Sequence, residues 1–193
     1  NKELIESSET VIWTKKMALN KIIDQFQFKS FLCNKLYTSE LFRSEPVNKF
    51  DVTIDIFGDL VMSVQCILKS KKIIYDPNLH YHYIAYRHVS FFNDRTKEKL
   101  SGPKGLLKVI DLAESLDGFD VCMIKEQYIN YSILLLMNLL KEENKNRQLI
   151  KKAKQNLYHF PLSEVRNQRV KVSCVMARKM TYIYFNIWKK QSG

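Results

Sequence analysis

Glycine and proline are scarce in this chain, with five glycines and four prolines among 193 residues. Both residues interrupt regular structure, so their scarcity favours long helices over a turn-rich β sandwich. The hydrophobic fraction of 46% is enough for a core, and 26% of the residues are charged. We therefore predict a mostly helical α+β fold that is one domain of ordinary size or one lobe of a larger protein.

Apolar residues recur at helical spacing over most of the sequence. A short helix is expected at residues 38–42, where Thr38 can cap it, and another helix begins at Asp59. Longer helices are predicted at residues 3–29, 106–116, 121–140, 144–158 and from Pro161 to about residue 190. The last of these carries an apolar stripe formed by Val172, Met176, Met180, Ile183 and Ile187. Amphipathicity alone leaves open whether this stripe packs in the core or lies on a membrane surface.

Sequence runs that favour β-structure are confined to the middle of the chain. Strands are expected at residues 31–37, 72–75 and 79–86, and Asp76-Pro77-Asn78 forms a turn before the last of them. Strands and helices do not alternate in a βαβ series, so a complete doubly wound nucleotide-binding sheet is not encoded here. The predicted architecture is a small mixed strand and helix centre at about residues 31–92, followed by a helical C-terminal region.

The net charge of +11 is concentrated in the C-terminal part of the sequence. Residues 141–193 carry 13 Lys and Arg against 3 Asp and Glu, whereas residues 1–140 carry 18 against 17. This asymmetry indicates an anionic partner for the C-terminal part, such as a lipid surface, a nucleic acid or an anionic polymer. The longest apolar run, residues 133–140, is too short to span a bilayer. Four scattered cysteines without a CxxC motif indicate reduced thiols and a cytoplasmic location.

Asp59 is the first candidate for chemistry in this sequence. A carboxylate at the start of a helix is stabilised by the helix dipole and can serve as a general base towards a hydroxyl. The alternative is that Asp59 caps the helix. His80 and His82 would share one face of a strand and could form a metal pair, but no third ligand has suitable spacing, and packing is the favoured interpretation. Arg87 and His88 could bind a phosphate or form a solvated loop.

Several short motifs follow one another between residues 31 and 92. In order, they are Asn34-Lys35-Leu36-Tyr37, Phe57-Gly58-Asp59 at a helix start, Ile73-Ile74-Tyr75, Tyr81-His82-Tyr83, and Arg87 with Ser90. This order resembles the bacterial family 2 glycosyltransferases, which assemble capsule, exopolysaccharide and cell-wall glycans. The basic helical tail is similar to that of the family in character only. Gly58 is a departure, because the family has Glu beside the Asp at this position.

The resemblance implies roles for six residues. Asp59 would be the base that deprotonates the acceptor hydroxyl while the anomeric carbon of the donor sugar is inverted. Acceptor-side contacts would come from Lys35, Tyr37 and Tyr83. Arg87 and His88 would lie near the donor diphosphate or an acceptor lipid phosphate. A divalent metal ion, Mg or Mn, is expected in a full-length member of the family, bound through an Asp-x-Asp motif that this chain lacks.

The resemblance also implies a domain organisation. Residues 1–100 would be the acceptor-side part of the catalytic domain, a remnant of a nucleotide-diphospho-sugar transferase fold, and residues 101–193 a helical, basic C-terminal region. The nucleotide-binding half is missing, so this chain alone is expected to be inactive and to bind no metal.

The expected partners are a nucleotide sugar, a glycan or lipid-linked acceptor, and an anionic membrane surface at the inner face of the membrane, contacted by the basic C-terminal helices. No specific nucleic acid is expected as a partner. The alternative left open is a non-enzymatic basic helical module that binds nucleic acid or an anionic membrane.

Overall fold

The computed structural model describes residues 9–24, 30–43, 45, 47–78, 80–81, 100–142 and 146–191. Helices dominate these residues, and the only sheet among them has two short strands, which confirms the predicted mostly helical α+β class. The elements in chain order are β1 (Val11–Trp13), α1 (Lys15–Asp24), α2 (Glu40–Arg43), α3 (Gly58–Lys69), β2 (Ile73–Tyr75), α4 (Gly102–Glu114), α5 (Cys122–Lys141), α6 (Arg147–Asn156), α7 (Gln168–Lys179) and α8 (Thr181–Gln191). Short 3₁₀ turns lie at Leu32–Asn34 and Leu162–Glu164.

Helix α5 is the centre of the fold. It packs against α4, α6 and α7, with smaller contacts to α1 and α8, while α3 packs between α1 and α4. The predicted face of Ile129, Ile133, Leu136 and Leu140 is buried. Other sides of α5 are buried too, because neighbouring helices surround it, and Tyr128 is one of the largest fully buried side chains. None of the helices in the described part of the chain is both long and apolar enough to cross a bilayer.

The N-terminal part of the chain differs from the prediction. Residues 11–13, which were expected to be helical, form β1, and β1 pairs antiparallel with β2 so that Ile12 lies opposite Ile74. Trp13 stacks on Tyr75 with the ring centroids 4.7 Å apart. β-Branched and aromatic side chains favour this pairing over a helix. The strand expected at residues 31–37 is wrong as well, because the chain there forms the turn Leu32–Asn34 and irregular structure.

Strand β2 and the turn after it occur where the sequence predicts them. The turn is held by Asp76, whose Oδ1 accepts hydrogen bonds from Asn78 N at 3.0 Å and Asn78 Nδ2 at 2.7 Å. Most of the strand predicted at residues 79–86 lies outside the described residues, and the partner of β2 within them is β1.

The middle helices agree with their predictions to within a few residues. Helix α4 begins earlier than expected, with Pro103 in its first turn, where its fixed φ suits a helix start. After α4 the chain reverses direction at Gly118, whose φ is +64°. Helix α6 begins at Arg147, a few residues after the predicted start, because the Asn146 side chain accepts hydrogen bonds from Gln148 N and Leu149 N, as favoured N-cap residues do.

The predicted last helix is in fact two helices. The chain breaks at Met180, between α7 and α8. Helix α7 faces the core with Val170, Cys174 and Ala177, whose small side chains allow a close approach to α5. Most of the apolar stripe predicted from the sequence is therefore turned away from the core. Its exposed members are Val172, Met180, Ile183 and Ile187.

Candidate active site at the start of helix α3

Three of the predicted site residues come together at the beginning of α3. Lys35 and Tyr37 follow the 3₁₀ turn Leu32–Asn34, and Asp59 lies in the first turn of α3. Burial lowers the pKa of Lys35 and raises the pKa of Tyr37, and the negative charge of Asp59 adds a smaller upward effect on each. The other three predicted residues, Tyr83, Arg87 and His88, lie outside the described residues.

Lys35 is partly buried beside the turn that precedes it. Its Nζ donates hydrogen bonds to Phe31 O at 2.6 Å and to Asn34 Oδ1 at 2.8 Å. Burial lowers the pKa of Lys35, because the ammonium loses hydration, and the nearby charges of Cys33 and Asp59 oppose this effect. Lys35 is therefore a cation held by local hydrogen bonds within the electrostatic field of Asp59.

Tyr37 is also partly buried. Burial raises the pKa of its phenol to about 12; the charges of Cys66 and Asp59 act in the same direction, while nearby Ser63 acts against them. Ser63 itself donates to Ser30 O at 3.1 Å. Within the described part of the chain, the buried Tyr37 hydroxyl has no hydrogen-bond partner. It is thus a neutral O–H group near Asp59 that can still donate a hydrogen bond.

Asp59 does not cap α3. The N-cap position is occupied by Phe57, no side chain caps the helix there, and the first helical residue is Gly58. The capping alternative for Asp59 is therefore wrong. Leu60, Val61 and Val64 anchor the other side of α3 in the core, and Asp59 is exposed to solvent.

The loop that leads into α3 is fixed by the start of α4. Ser101 Oγ accepts hydrogen bonds from Asp55 N and Ile56 N, both at 3.0 Å. Gly105 permits this contact, since a Cβ there would lie 2.7 Å from Ile56 O. Phe57 follows with a φ of 70°, a strained value for a residue with a Cβ. Such strain persists where the surrounding structure enforces it, and here it sets the chain direction just before Asp59.

A cleft of about 280 Å³ lies beside the same loop. It is lined by Phe57, Gln127, Asn130, Tyr131 and Leu134. The Phe57 and Tyr131 rings meet edge to face at 5.1 Å, and burial raises the pKa of Tyr131 to about 12. The sequence did not predict this cleft. The four α5 residues share one helix face, but no sequence pattern relates them to Phe57, which is 70 positions before Gln127.

Gly58 has room for a larger side chain. A Cβ built there meets no heavy atom within 4 Å. Close packing therefore does not require glycine at this position, and the chain could accommodate the Glu that the resemblance leads one to expect.

The histidine pair does not gain support as a metal site. His80 is exposed, and its Nε2 lies 2.9 Å from Asp76 Oδ2, so His80 belongs to the turn after β2 and is not packed in the core. His82 lies outside the described residues. In the ranges that the structure describes, no group of three or more His, Cys, Asp or Glu side chains could hold a metal ion.

Neither a family model, nor a curated protein, nor a solved structure matches this chain.

Proposed function

We propose that this chain is the acceptor-side part of an inverting glycosyltransferase, which transfers a sugar from a nucleotide-diphosphate donor to a glycan or lipid-linked acceptor. The observation that carries the proposal is that Lys35 and Tyr37 lie near enough to α3 for the charge of Asp59 to act on both, although burial is the larger effect on each. The resemblance alone points to Lys35 and Tyr37, whereas Asp59 also stands out as an acid at a helix start. Their common exposure to the charge of Asp59 supports a shared site.

The proposed reaction uses Asp59 as the general base. Its carboxylate takes the proton of an acceptor hydroxyl, and the oxygen attacks the anomeric carbon as the bond to the nucleoside diphosphate breaks on the opposite face. Tyr37 has a pKa of about 12, so it stays neutral at pH 7, and with its hydroxyl buried it helps to shape the acceptor side. Lys35 contributes positive charge beside the reacting groups. No step is assigned to a metal ion, because the described residues offer no cluster that fits one.

The cleft beside Phe57 supports an acceptor that is a sugar. Ligand sites combine apolar and aromatic walls with a few polar groups that fix orientation. Phe57 and Tyr131 supply rings against which the C–H faces of a sugar can pack, and Gln127 and Asn130 supply amides that can bond its hydroxyls. This chemistry suits a polyhydroxylated ring better than a purely apolar ligand.

The test compares two exposed aspartates that precede or begin α3. Asp59→Asn and Asp55→Asn are each introduced into the full open reading frame that encodes these residues, and release of nucleoside diphosphate from nucleotide sugars is measured with glycan acceptors. Loss of a general base costs about 10²–10⁴-fold in rate, so we expect Asp59→Asn to lose nearly all transfer and Asp55→Asn to keep it. Circular dichroism checks that both variants fold. Full turnover by folded Asp59→Asn would refute the assignment.

The DNA upstream of Asn1 gives a simpler test. An in-frame segment encoding a βαβ nucleotide-binding lobe with Asp-x-Asp would support the enzyme. A start codon near Asn1 with no such segment would instead favour a module that only binds.

A further inference from the structure

The outer side of α8 exposes large apolar side chains. Tyr182 is 68% exposed, Ile183 is 52% exposed and Ile187 is 44% exposed. Met180, at the junction between α7 and α8, is 43% exposed. Ile183 and Ile187 are one helical turn apart and therefore lie side by side. Together these four residues form a patch that we call the α8 surface.

The α8 surface is rigidly presented by the rest of the fold. On the inner side of α8, Tyr184, Phe185 and Trp188 are partly buried against the core. Thr181 is buried, and its Oγ1 donates to Ala177 O at 2.7 Å, which ties the start of α8 to the end of α7. The core thus holds the inner side of α8, so the outer apolar residues cannot turn inward without breaking these contacts.

The charge around the α8 surface has one sign. Lys179 precedes it, Lys189 and Lys190 follow it, and all three are exposed. Residues 165–193 contain seven Lys and Arg and no Asp or Glu. Arg178 has a separate structural role, because its guanidinium donates hydrogen bonds to Leu157 O and Phe160 O. The lysines remain to attract an anionic partner.

We infer that the α8 surface binds an anionic lipid bilayer. An amphipathic helix that lies in the plane of a membrane combines aliphatic residues, an aromatic ring and a basic border. Here Ile183 and Ile187 would enter the acyl region, Tyr182 would lie at the headgroup level, and the lysines would meet anionic headgroups. The inference does not depend on the glycosyltransferase proposal, since membrane binding requires neither Asp59 nor a sugar.

A bilayer fits this surface better than a nucleic acid does. Single-stranded nucleic acids bind through aromatic platforms on which bases stack, whereas the α8 surface has one aromatic ring, Tyr182, beside the aliphatic Ile183 and Ile187. Duplex binding needs mainly polar and cationic contacts, and two exposed isoleucines in the middle of such a contact would add nothing. The combination of aliphatic centre and cationic border is explained by a surface that is apolar inside and anionic outside.

The experiment is co-sedimentation of the 193-residue chain with lipid vesicles. Vesicles of phosphatidylcholine mixed with phosphatidylglycerol are compared with vesicles of phosphatidylcholine alone, at low and high NaCl. We expect binding to the mixed vesicles, weaker binding at high NaCl, and little binding without phosphatidylglycerol. Equal binding to both vesicle types, or no binding to either, would overturn the inference.

Two double variants separate the apolar and cationic parts. Lys189→Gln with Lys190→Gln should weaken binding by about fivefold for each lysine removed. Ile183→Ser with Ile187→Ser should weaken it by at least about tenfold, because two buried aliphatic groups are lost. The matched controls are Lys71→Gln with Lys72→Gln, another exposed lysine pair, and Phe50→Ser with Val52→Ser, another exposed apolar pair. Both controls should bind as the unaltered chain does.

Two further measurements test the other occupants of this surface. Fluorescence anisotropy with single-stranded RNA and with duplex DNA tests nucleic acid, and sedimentation velocity tests self-association. Tight RNA or DNA binding that is lost in the Lys189/Lys190 variant, without vesicle binding, would overturn the inference in favour of a nucleic-acid site. Dissociation of a dimer by the Ile183/Ile187 variant, without vesicle binding, would show instead that a second copy covers the surface.

Discussion

At Gly58 a substitution can add a side chain to the candidate site without a steric clash. Gly58 is the first residue of α3, and a Cβ there meets nothing within 4 Å. We expect Gly58→Glu to raise the free energy of unfolding by about 0.5–1 kcal/mol, because the unfolded chain loses backbone freedom and a carboxylate near a helix N-terminus is favourable. Urea denaturation followed by circular dichroism measures the change.

Gly58→Ala is the matched control for this variant. It removes the same backbone freedom without adding charge, so it should give part of the stabilisation and show little dependence on salt. The additional gain from Glu should shrink as NaCl is raised, because salt screens a charge near an exposed helix end. Destabilisation by both variants would mean that the loop before α3 needs glycine at this position.

At the level of single residues, the sequence predicted the place of a residue in a helix better than its neighbours in space. Asp59 could be placed near a helix start because the apolar residues after it recur at helical spacing. That Lys35 and Tyr37 lie near Asp59 was expected from the resemblance alone, since no local rule relates residues more than twenty positions apart. The strained φ of Phe57 could not be predicted either, because it arises from the contact of its loop with Ser101 and Gly105.

Among the helices, α7 is capped by its own Asn167, and the two backbone amides just before it are bonded by a side chain from another helix. Glu126, on α5, accepts hydrogen bonds at its Oε1 from Arg166 N and Asn167 N, both at 2.7 Å. We expect Glu126→Gln to lower the free energy of unfolding by about 1 kcal/mol, because bonds to an ionised acceptor are stronger than bonds to a neutral one. Hydrogen exchange at the amides of Arg166 and Asn167, just before α7, should become faster.

Glu114→Gln provides the comparison for this prediction. Glu114 also carries a carboxylate near α5, with its Oε1 3.9 Å from Lys125 Nζ, but it is exposed and bonds no backbone amide among the described residues. Exposed ion pairs contribute little, so this variant should be close to neutral. Equal effects of the two substitutions would show that the bonds to Arg166 N and Asn167 N do not stabilise α7.

Secondary structure was predictable where local pattern and tertiary packing agree. Helices α3, α5 and α6 have the expected positions because their apolar faces are the faces that the core buries. Strand β1 was missed, since its β-structure depends on pairing with β2, about sixty residues later. The break at Met180 was missed because both sides of it have helical periodicity. Contact with the core makes α7 bury Cys174 and Ala177. Most of the apolar stripe is therefore exposed.

Across the whole molecule, the candidate site and the α8 surface lie in different parts of a fold whose described core residues form one cluster. The candidate site lies at the start of α3, where it is fixed by α4, whereas the α8 surface depends on α7, α8 and their contacts with α5. The charge asymmetry of the sequence predicted a distinct C-terminal region. The charge asymmetry could not predict which face of α7 and α8 is exposed, because packing against the core decides which face is buried.

Buried tyrosines make the whole fold sensitive to alkaline pH. Burial raises the pKa of Tyr37, Tyr128 and Tyr131 to about 12 each. A tyrosine in the unfolded chain has a pKa of about 10. Between these values the folded state holds protons that the unfolded state has released. The free energy of unfolding should therefore be unaffected by these groups below about pH 10 and fall as the pH rises from there towards about 12.

Cysteine and lysine groups change how steeply the free energy of unfolding falls with pH, but it still falls. Burial raises the thiol pKa of Cys66 and Cys174, so their contribution starts to be lost at lower pH than that of the tyrosines. Lys35 acts in the opposite sense, because its pKa is lowered in the folded chain and its contribution grows as the pH rises. Burial also raises the thiol pKa of Cys122, so one lysine opposes six groups and stability should still decrease.

Urea denaturation at a series of alkaline pH values, with tyrosinate absorbance followed in parallel, measures this dependence. Tyr131→Phe removes one of the three phenols while keeping the ring that meets Phe57, and it should make stability fall less steeply above about pH 10. If the unaltered chain kept its full stability while the absorbance of all ten tyrosinates appeared near pH 10, to about one pH unit, the three phenols would be ionising inside the folded protein. Burial would then not be what holds their protons, and the packing of Tyr128 and Tyr131 around α5 would have to open without unfolding.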